Sequence, residues 1–127
     1  MNGIFINGAD QKSVNAYAQH KLISARNTRL HSLVVRNNHA TASFWVQVFD
    51  LTAASAAAAN TAADSVTAEF EVECPAGSFV PFSFQGGWQF RAGCYVRCVS
   101  ADGGTSANLI AGSNAKITAA FMDGPLA

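Results

Sequence analysis

The chain has few charged residues. Asp, Glu, Lys and Arg make up 13% of its 127 residues, about half the usual share for a soluble protein. Eight basic and eight acidic residues give a formal net charge of zero, so no electrostatic attraction to nucleic acid or to an anionic membrane is expected. A neutral, charge-poor surface protects poorly against self-association. The composition therefore favours assembly with other copies, and a monomer is the alternative.

Long apolar runs are also absent. No run approaches the roughly 18 residues that a membrane span needs. Residues 1–20 show no basic start followed by an apolar stretch, so no signal peptide is predicted. We expect a chain that is made and folded in a cytoplasm, with no membrane partner.

Cysteine is scarce, and its count of three is odd, which argues against a disulfide framework. Cys94 and Cys98 are predicted to lie on one strand, about 13 Å apart. A disulfide needs Cα atoms within roughly 7 Å, so these two cannot bridge. We expect buried thiols on the face shared with Val96. A bridge from Cys74 across the sandwich is the alternative.

Alternating patterns indicate β-structure throughout. In residues 75–100, two predicted strands flank a Gly86-Gly87 break, with Trp88 and Phe90 expected to plug the bend. Turn signals separate about eight predicted strands, at residues 21–25, 29–36, 42–50, 66–73, 79–84, 94–100, 105–110 and 115–122. The pattern predicts an all-β fold, an antiparallel sandwich that is jelly-roll-like or immunoglobulin-like, without a substantial helix.

The domain organisation follows from composition. Residues 1–20 are polar and interrupted by glycine, and they are predicted to form an N-terminal arm, with a frayed terminus as the alternative. Residues 21–127 are predicted to form one sandwich domain. Residues 51–64 are Ala-rich without charge pairs or an apolar stripe, so they are predicted to be a long surface loop with at most one helical turn.

The strand at residues 42–50 has apolar side chains on both faces. One face, with Phe44, Val46 and Val48, suits the core, while the other would expose two aromatic residues to water. That second face is a candidate contact surface, and a strand with both faces covered within the monomer is the alternative. Together with the arm and the loop, the predicted interface comprises Ile4, Phe5, Ile6, Trp45, Gln47, Phe49, Ala56, Ala57, Ala58 and Asn60.

The sequence nominates no catalytic, metal or cofactor site. His20, His31 and His39 have no Cys or carboxylate at metal-ligand spacing. Glu69, Glu71 and Glu73 alternate on one predicted strand and are better explained as a solvated face than as a catalytic pair. We expect a protein that is not an enzyme, and a hydrolase is a minor alternative without a nominated nucleophile and base.

Four segments together resemble a group of small virion structural proteins of tailed bacteriophages. These segments are WVQVFD at residues 45–50, CPAGSFVPFSF at 74–84, GGWQFRAGCYVRCVS at 86–100 and AKITAAFMD at 115–123. The resemblance extends over residues 30–123. It implies a β-sandwich, no catalysis and assembly into a particle.

The resemblance does not specify which part of the particle. The low charge, the arm and Ala-rich loop, and the aromatic residues on the second face of the strand at 42–50 favour a capsid decoration (cement) protein, which binds and stabilises the major capsid shell. Its expected location is the virion, assembled in the cytoplasm of a bacterial host. Its expected partners are other copies, with a trimer favoured, and the major capsid protein or other virion proteins, without nucleic acid. The alternative is a tail or baseplate component that binds host surface carbohydrate.

Overall fold

Eight strands and one helix form within residues 11–124, the part of the chain that the computed structural model describes. The strands in chain order are β1 Lys12–Tyr17, β2 His20–Ser24, β3 Thr28–Asn37, β4 Phe44–Asp50, β5 Phe70–Cys74, β6 Phe79–Phe90, β7 Cys94–Val99 and β8 Ala115–Asp123. The helix α1, Ala56–Ala63, lies between β4 and β5, and 3₁₀ turns at Ser106–Asn108 and Gly112–Asn114 precede β8. The predicted all-β sandwich of about eight strands is confirmed.

The strand order identifies the kind of sandwich. Sheet A has the order β1-β8-β3-β6 and sheet B the order β2-β7-β4-β5, and every pair in the two sheets is antiparallel. The first strand pairs with the eighth, the second with the seventh, the third with the sixth and the fourth with the fifth. This is the pairing of a long antiparallel hairpin that is folded over on itself. This is the arrangement of an eight-stranded jelly roll, and it differs from the seven- or nine-stranded immunoglobulin arrangement.

The core lies between the two sheets. Alternate residues of the inner strands point into it, so that Val46 and Val48 of β4 face Leu33 and Val35 of β3, all fully buried. The prediction that the Phe44 face of β4 packs in the core is confirmed. The three cysteines are free and buried. This was expected for Cys94 and Cys98, and it excludes the alternative of a bridge from Cys74. Burial raises the pKa of each thiol.

The predicted boundary of the N-terminal arm is wrong. Residues 12–17 form β1, which pairs with β8 along its whole length. The pattern was weak because only small or half-buried residues, Val14 and Ala16, face inward, and the strand is held mainly by its ladder to β8. Ile4, Phe5 and Ile6 lie outside the described residues.

The Ala-rich segment is not a loop throughout, because it contains the two-turn helix α1. The hydroxyl of Ser55 caps the helix by accepting a hydrogen bond from the backbone N–H of Ala58 at 3.2 Å. Ala59 and Ala63 are buried against sheet B. A helix this short is marginal in isolation, so tertiary packing supplies the stability that its sequence lacks.

Three further strand predictions differ from the structure. β6 continues through Gly86 and Gly87, whose positive φ angles of 79° and 88° form an irregularity within the strand. β5 begins only at Phe70, and residues 105–110 form a 3₁₀ turn and a single bridge between Leu109 and Val99 instead of a strand.

Gly93 is required where the chain passes from β6 to β7. A Cβ atom added there would lie 2.5 Å from the carbonyl oxygen of Leu51 and 2.7 Å from that of Ser24, and neither backbone atom can rotate away. We expect Gly93→Ala to lower the free energy of unfolding in urea by at least about 1–3 kcal/mol. At Gly112 the close contact is the flexible amide end of Gln19, so Gly112→Ala is the matched control. An equal effect of the two substitutions would contradict this account.

Candidate functional site

A row of polar side chains crosses the outer face of sheet B. In the strand register, His20 of β2 lies opposite Arg97 of β7, Arg97 opposite Gln47 of β4, and Gln47 opposite Glu71 of β5. Arg97 and Gln47 are only 2% and 4% exposed, although they point away from the core between the sheets. Something else must therefore cover this face.

The cover is α1. Its buried alanines pack with Phe49, Leu51 and Tyr95 in a second apolar cluster, separate from the main core. Because alanine side chains are small, the helix can approach the sheet closely enough to exclude water from the polar row. The low-complexity composition of this segment is thus suited to its position.

Arg97 is the centre of the polar row. Its Nε donates to Gln47 Oε1 at 2.6 Å, and its Nη1 donates to Asn60 O at 2.9 Å and to Asp64 Oδ1 at 3.0 Å. The guanidinium also lies 4.9 Å from the centroid of the Phe49 ring. One side chain of β7 thereby connects β4 with the end of α1.

The same network extends to both sides of the arginine. Gln47 Nε2 donates to Glu71 Oε2 at 2.6 Å and to Gly104 O at 3.1 Å. On the other side, the hydroxyl of Tyr95 donates to Asn60 Oδ1 at 3.2 Å and lies 2.9 Å from His20 Nδ1. Burial raises the pKa of Tyr95 and lowers that of His20, so both groups are uncharged near neutral pH.

Asp64 completes the network at the C-terminal end of α1. Its carboxylate accepts hydrogen bonds from the hydroxyl of Ser106 at 2.6 Å and from the Ser106 backbone N–H at 2.9 Å. The Ser106 hydroxyl, followed by the other bonds and Arg97, lowers the pKa of Asp64. The helix end, the 3₁₀ turn and β7 are therefore held together by one carboxylate.

A pocket of about 370 Å³ opens beside this network, between α1, β5 and the turn after β7. Its polar walls are formed by Gln47, Asp64, Glu71, Arg97 and Thr105. The first four of these side chains are engaged with one another or with neighbouring backbone and side-chain groups, as described above. Within residues 11–124, no group of three or more His, Cys, Asp or Glu side chains could hold a metal ion.

The structure separates the residues of the predicted interface. Gln47 and Phe49 are buried within the chain, so the expectation that they face water is wrong and the alternative, a strand covered on both faces, is confirmed for them. Trp45 is half-buried, Ala57 and Ala58 are exposed on α1, and Ala56 is intermediate. Asn60 points toward Arg97. Sequence reasoning did not find the role of Arg97, because its partners are distant in sequence.

A second candidate surface lies at the open side of the sandwich, between the edge strands β5 and β6. Phe70 of β5 contacts Phe82, Phe84 and Trp88 of β6, with ring centroids 4.9, 5.9 and 5.7 Å away. We call these four residues the aromatic edge. Trp88 is 40% exposed, so the prediction that it plugs the bend is wrong, whereas Phe90 is fully buried as expected.

Comparison with known proteins gives no further assignment. No family model matches the chain, and no curated protein or solved structure was found to be similar to it. Among residues 11–124, α1 is much too short to cross a membrane, and no other helix is long and apolar enough to do so.

Removing the buried side chain of Arg97 is expected to destabilise the fold. Arg97→Met would leave Asp64, Asn60 and Gln47 without their shared donor, and we expect a loss of about 3–5 kcal/mol in the free energy of unfolding. Urea denaturation measures this loss, with the exposed Arg91→Met as control. A loss below about 1 kcal/mol would show that water or neighbouring groups replace the guanidinium.

The pKa of Asp64 gives a pH-dependent prediction. Because its pKa is lowered in the folded chain, the carboxylate stabilises the fold above about pH 4, its ordinary range, and this stabilisation is lost as the pH falls through the folded pKa. Ser106→Ala should raise that pKa. The stability difference from the unmodified chain should then be largest at neutral pH and shrink below about pH 4. Ser113→Ala is the control, for which the difference should not vary with pH.

Proposed function

We propose that this chain is a non-enzymatic structural protein of a tailed-bacteriophage virion, in particular a capsid decoration protein that binds the major capsid shell. The proposal combines the resemblance of residues 30–123 to small virion proteins with the architecture of the chain. The jelly roll recurs in viral capsid domains, and also in lectins and cupins, so it is compatible with the proposal without specifying it.

The polar network supports a structural role. The side chains that could have carried chemistry, Arg97, Asp64, Tyr95 and His20, are hydrogen-bonded to one another or to Asn60 beneath α1. These bonds fix the helix to the outer face of sheet B. Among the described residues, this arrangement does not suggest a nucleophile with a general base and access to substrate.

The observation that carries the proposal is the exposure of Trp88, which is 40% exposed beside the three partly buried phenylalanines of the aromatic edge. Its four rings belong to β5 and β6, each at the edge of its sheet, and within residues 11–124 no further strand pairs with either. An exposed tryptophan beside partly buried aromatic rings is typical of protein contact sites, where tryptophan contributes a large share of the binding energy. A capsid subunit seated on this edge would cover both the rings and the free strand edges.

Trp88 is the residue to test. We expect Trp88→Ala to weaken binding to capsids that lack this chain by about 2 kcal/mol or more, which corresponds to roughly 30-fold in Kd. Sedimentation of capsids with added protein measures the bound fraction. Val66→Ala changes another exposed apolar residue, which lines the pocket beside α1 and does not belong to the aromatic edge, and it should bind normally. Thermal melts of both variants distinguish lost binding from lost folding. If Trp88→Ala binds capsids as tightly as the unmodified chain, the aromatic edge is not the capsid-binding surface.

The location of the chain in the virion can be tested independently of the role of the aromatic edge. Quantitative mass spectrometry of purified particles from the source of this sequence should find the chain in a fixed ratio of the same order as the major capsid protein. Particles that lack the chain altogether would overturn the proposal. A ratio far below that of the capsid protein would favour a tail position.

The second candidate is a tail or baseplate component that binds host surface carbohydrate. The exposure of Trp88 favours it, because an aromatic ring with one open face can stack on a sugar ring, and Phe84 extends the platform with its centroid 5.4 Å away. A glycan array of bacterial surface polysaccharides tests this candidate. Binding that is lost in Trp88→Ala would support it, and a silent array would remove it.

A further inference from the structure

The charges of the chain are divided between its two sheets. Within the described residues, the strands of sheet A contain one carboxylate, Asp123, which pairs with Lys12 at 2.7 Å and lies 3.8 Å from Arg26. Six of the eight acidic residues of the chain lie in or beside sheet B, namely Asp50, Asp64, Glu69, Glu71, Glu73 and Asp102. The net charge of zero is therefore the sum of two oppositely charged sides.

The outer face of sheet A carries a row of four side chains that we call the cationic row. In register across the sheet, Tyr17 of β1 lies opposite Lys116 of β8, Lys116 opposite Arg36 of β3, and Arg36 opposite Phe79 of β6. All four point away from the core, since the residues that alternate with them are buried or half-buried inward. Tyr17 and Phe79 are 61% and 51% exposed at the two ends of the row.

The two cations of this row are directly opposite each other on neighbouring strands. Such positions place Cα atoms about 4.5–5.5 Å apart, and like charges there are destabilising. Within residues 11–124, neither Lys116 nor Arg36 forms an ion pair. Each lies instead over an exposed ring, Lys116 Nζ at 5.4 Å from Tyr17 and the Arg36 guanidinium at 5.4 Å from Phe79. The isolated chain thus holds a repulsive pair that an acidic partner would relieve.

Sheet B presents the complementary surface at its β5 edge. Glu71 and Glu73 alternate on the outer side of β5, and Glu69 directly precedes the strand. None of the three forms an ion pair within the described part of the chain. Trp45, half-buried, lies opposite Glu73 on the neighbouring strand.

We propose that the cationic row binds the acidic β5 edge of a second copy of this chain. The contact joins two different surfaces, so it is a head-to-tail contact, and it forms a closed ring if the rotation between copies closes and an open chain if it does not. The inference concerns only contacts between copies and does not require the chain to be a virion protein.

The spacing of the charges fits this contact. Alternate residues of a strand, such as Glu71 and Glu73, are about 6.6–6.8 Å apart. This is within roughly 1–2 Å of the separation expected for Arg36 and Lys116 across the ladder, a difference that these long side chains can cover. Glu73 of one copy can therefore lie against a cation of the other, while Glu71, which keeps its bonds to Gln47 and the Gly103 N–H, adds its charge at the neighbouring position. Trp45 lies opposite Glu73, near the rings that flank the row.

Sedimentation equilibrium of the purified chain tests the contact. Self-association should be strong at about 0.01 M salt, where charges act over about 30 Å, and weaker by at least about tenfold at 1 M salt, where they act over about 3 Å. Salt-independent association, or a monomer at every salt and protein concentration up to about 1 mM, would overturn the proposal.

A charge exchange identifies the two surfaces. R36E/K116E makes both surfaces acidic. E69K/E73K makes the β5 edge net basic, because Glu71 is retained for its bonds to Gln47 and to the Gly103 N–H. Each variant alone should remain monomeric, and an equimolar mixture should associate again. If the mixture fails to associate although both variants are folded, the β5 edge is not the partner of the cationic row and the proposal is wrong.

The single substitution Lys116→Glu separates binding from folding. It replaces a repulsive cross-strand pair with an attractive one, so the urea midpoint of the monomer should rise while self-association falls. The exposed Arg91→Glu makes the same change of charge outside the row and should leave association unchanged. A Lys116→Glu chain that associates normally would overturn the proposal. The proposal would also be wrong if the unmodified chain were a monomer and bound an acidic polysaccharide through Arg36 and Lys116. The cationic row would then have a different partner.

Discussion

The buried guanidinium of Arg97 is the interaction on which the outer structure of sheet B depends. A charge that is only 2% exposed is stable there because hydrogen bonds and an ion pair satisfy it. Those partners come from β4, from α1 and from the residue that follows α1, so the position of the helix and the charge of the arginine require each other. Without the helix the cation would face water. Without the cation the helix would keep its alanine contacts and the bonds of Asn60 and Asp64 to Tyr95 and Ser106, but it would lose its ion pair to β7.

The strands could be predicted from local sequence, because alternation reports which residues face an apolar layer. The alternation of β4 correctly placed Phe44, Val46 and Val48 in the core. It could not show that Phe49 and Gln47 are covered as well, since their cover is supplied by a segment with no amphipathic pattern of its own. β1 and α1 were missed for the same physical reason. Both are stabilised mainly by tertiary contacts, and neither has a strong periodic signal.

The two candidate surfaces differed in how far sequence could identify them. The aromatic content of β6 was evident. The exposure of Trp88 depends on the position of β6 at the edge of sheet A, as formed by the described residues, and that position is a property of topology. The division of charge between the sheets was concealed by a net charge of zero. It became visible only when register placed Lys116 beside Arg36, residues 80 positions apart in the chain.

The ribbon arrangement of the jelly roll also bears on how the chain reaches its fold. Lys12 pairs with Phe121, whereas the β4–β5 pair is closed by a connection of fewer than 20 residues. Loop closure costs more entropy as the loop lengthens, so pairing is expected to begin at the β4–β5 end and to proceed toward β1 and β8. Folds dominated by such distant pairs form slowly, on the order of milliseconds to seconds. During that time the edge strands and their aromatic side chains lack their final neighbours, which makes the newly made chain vulnerable to aggregation before its sandwich is closed.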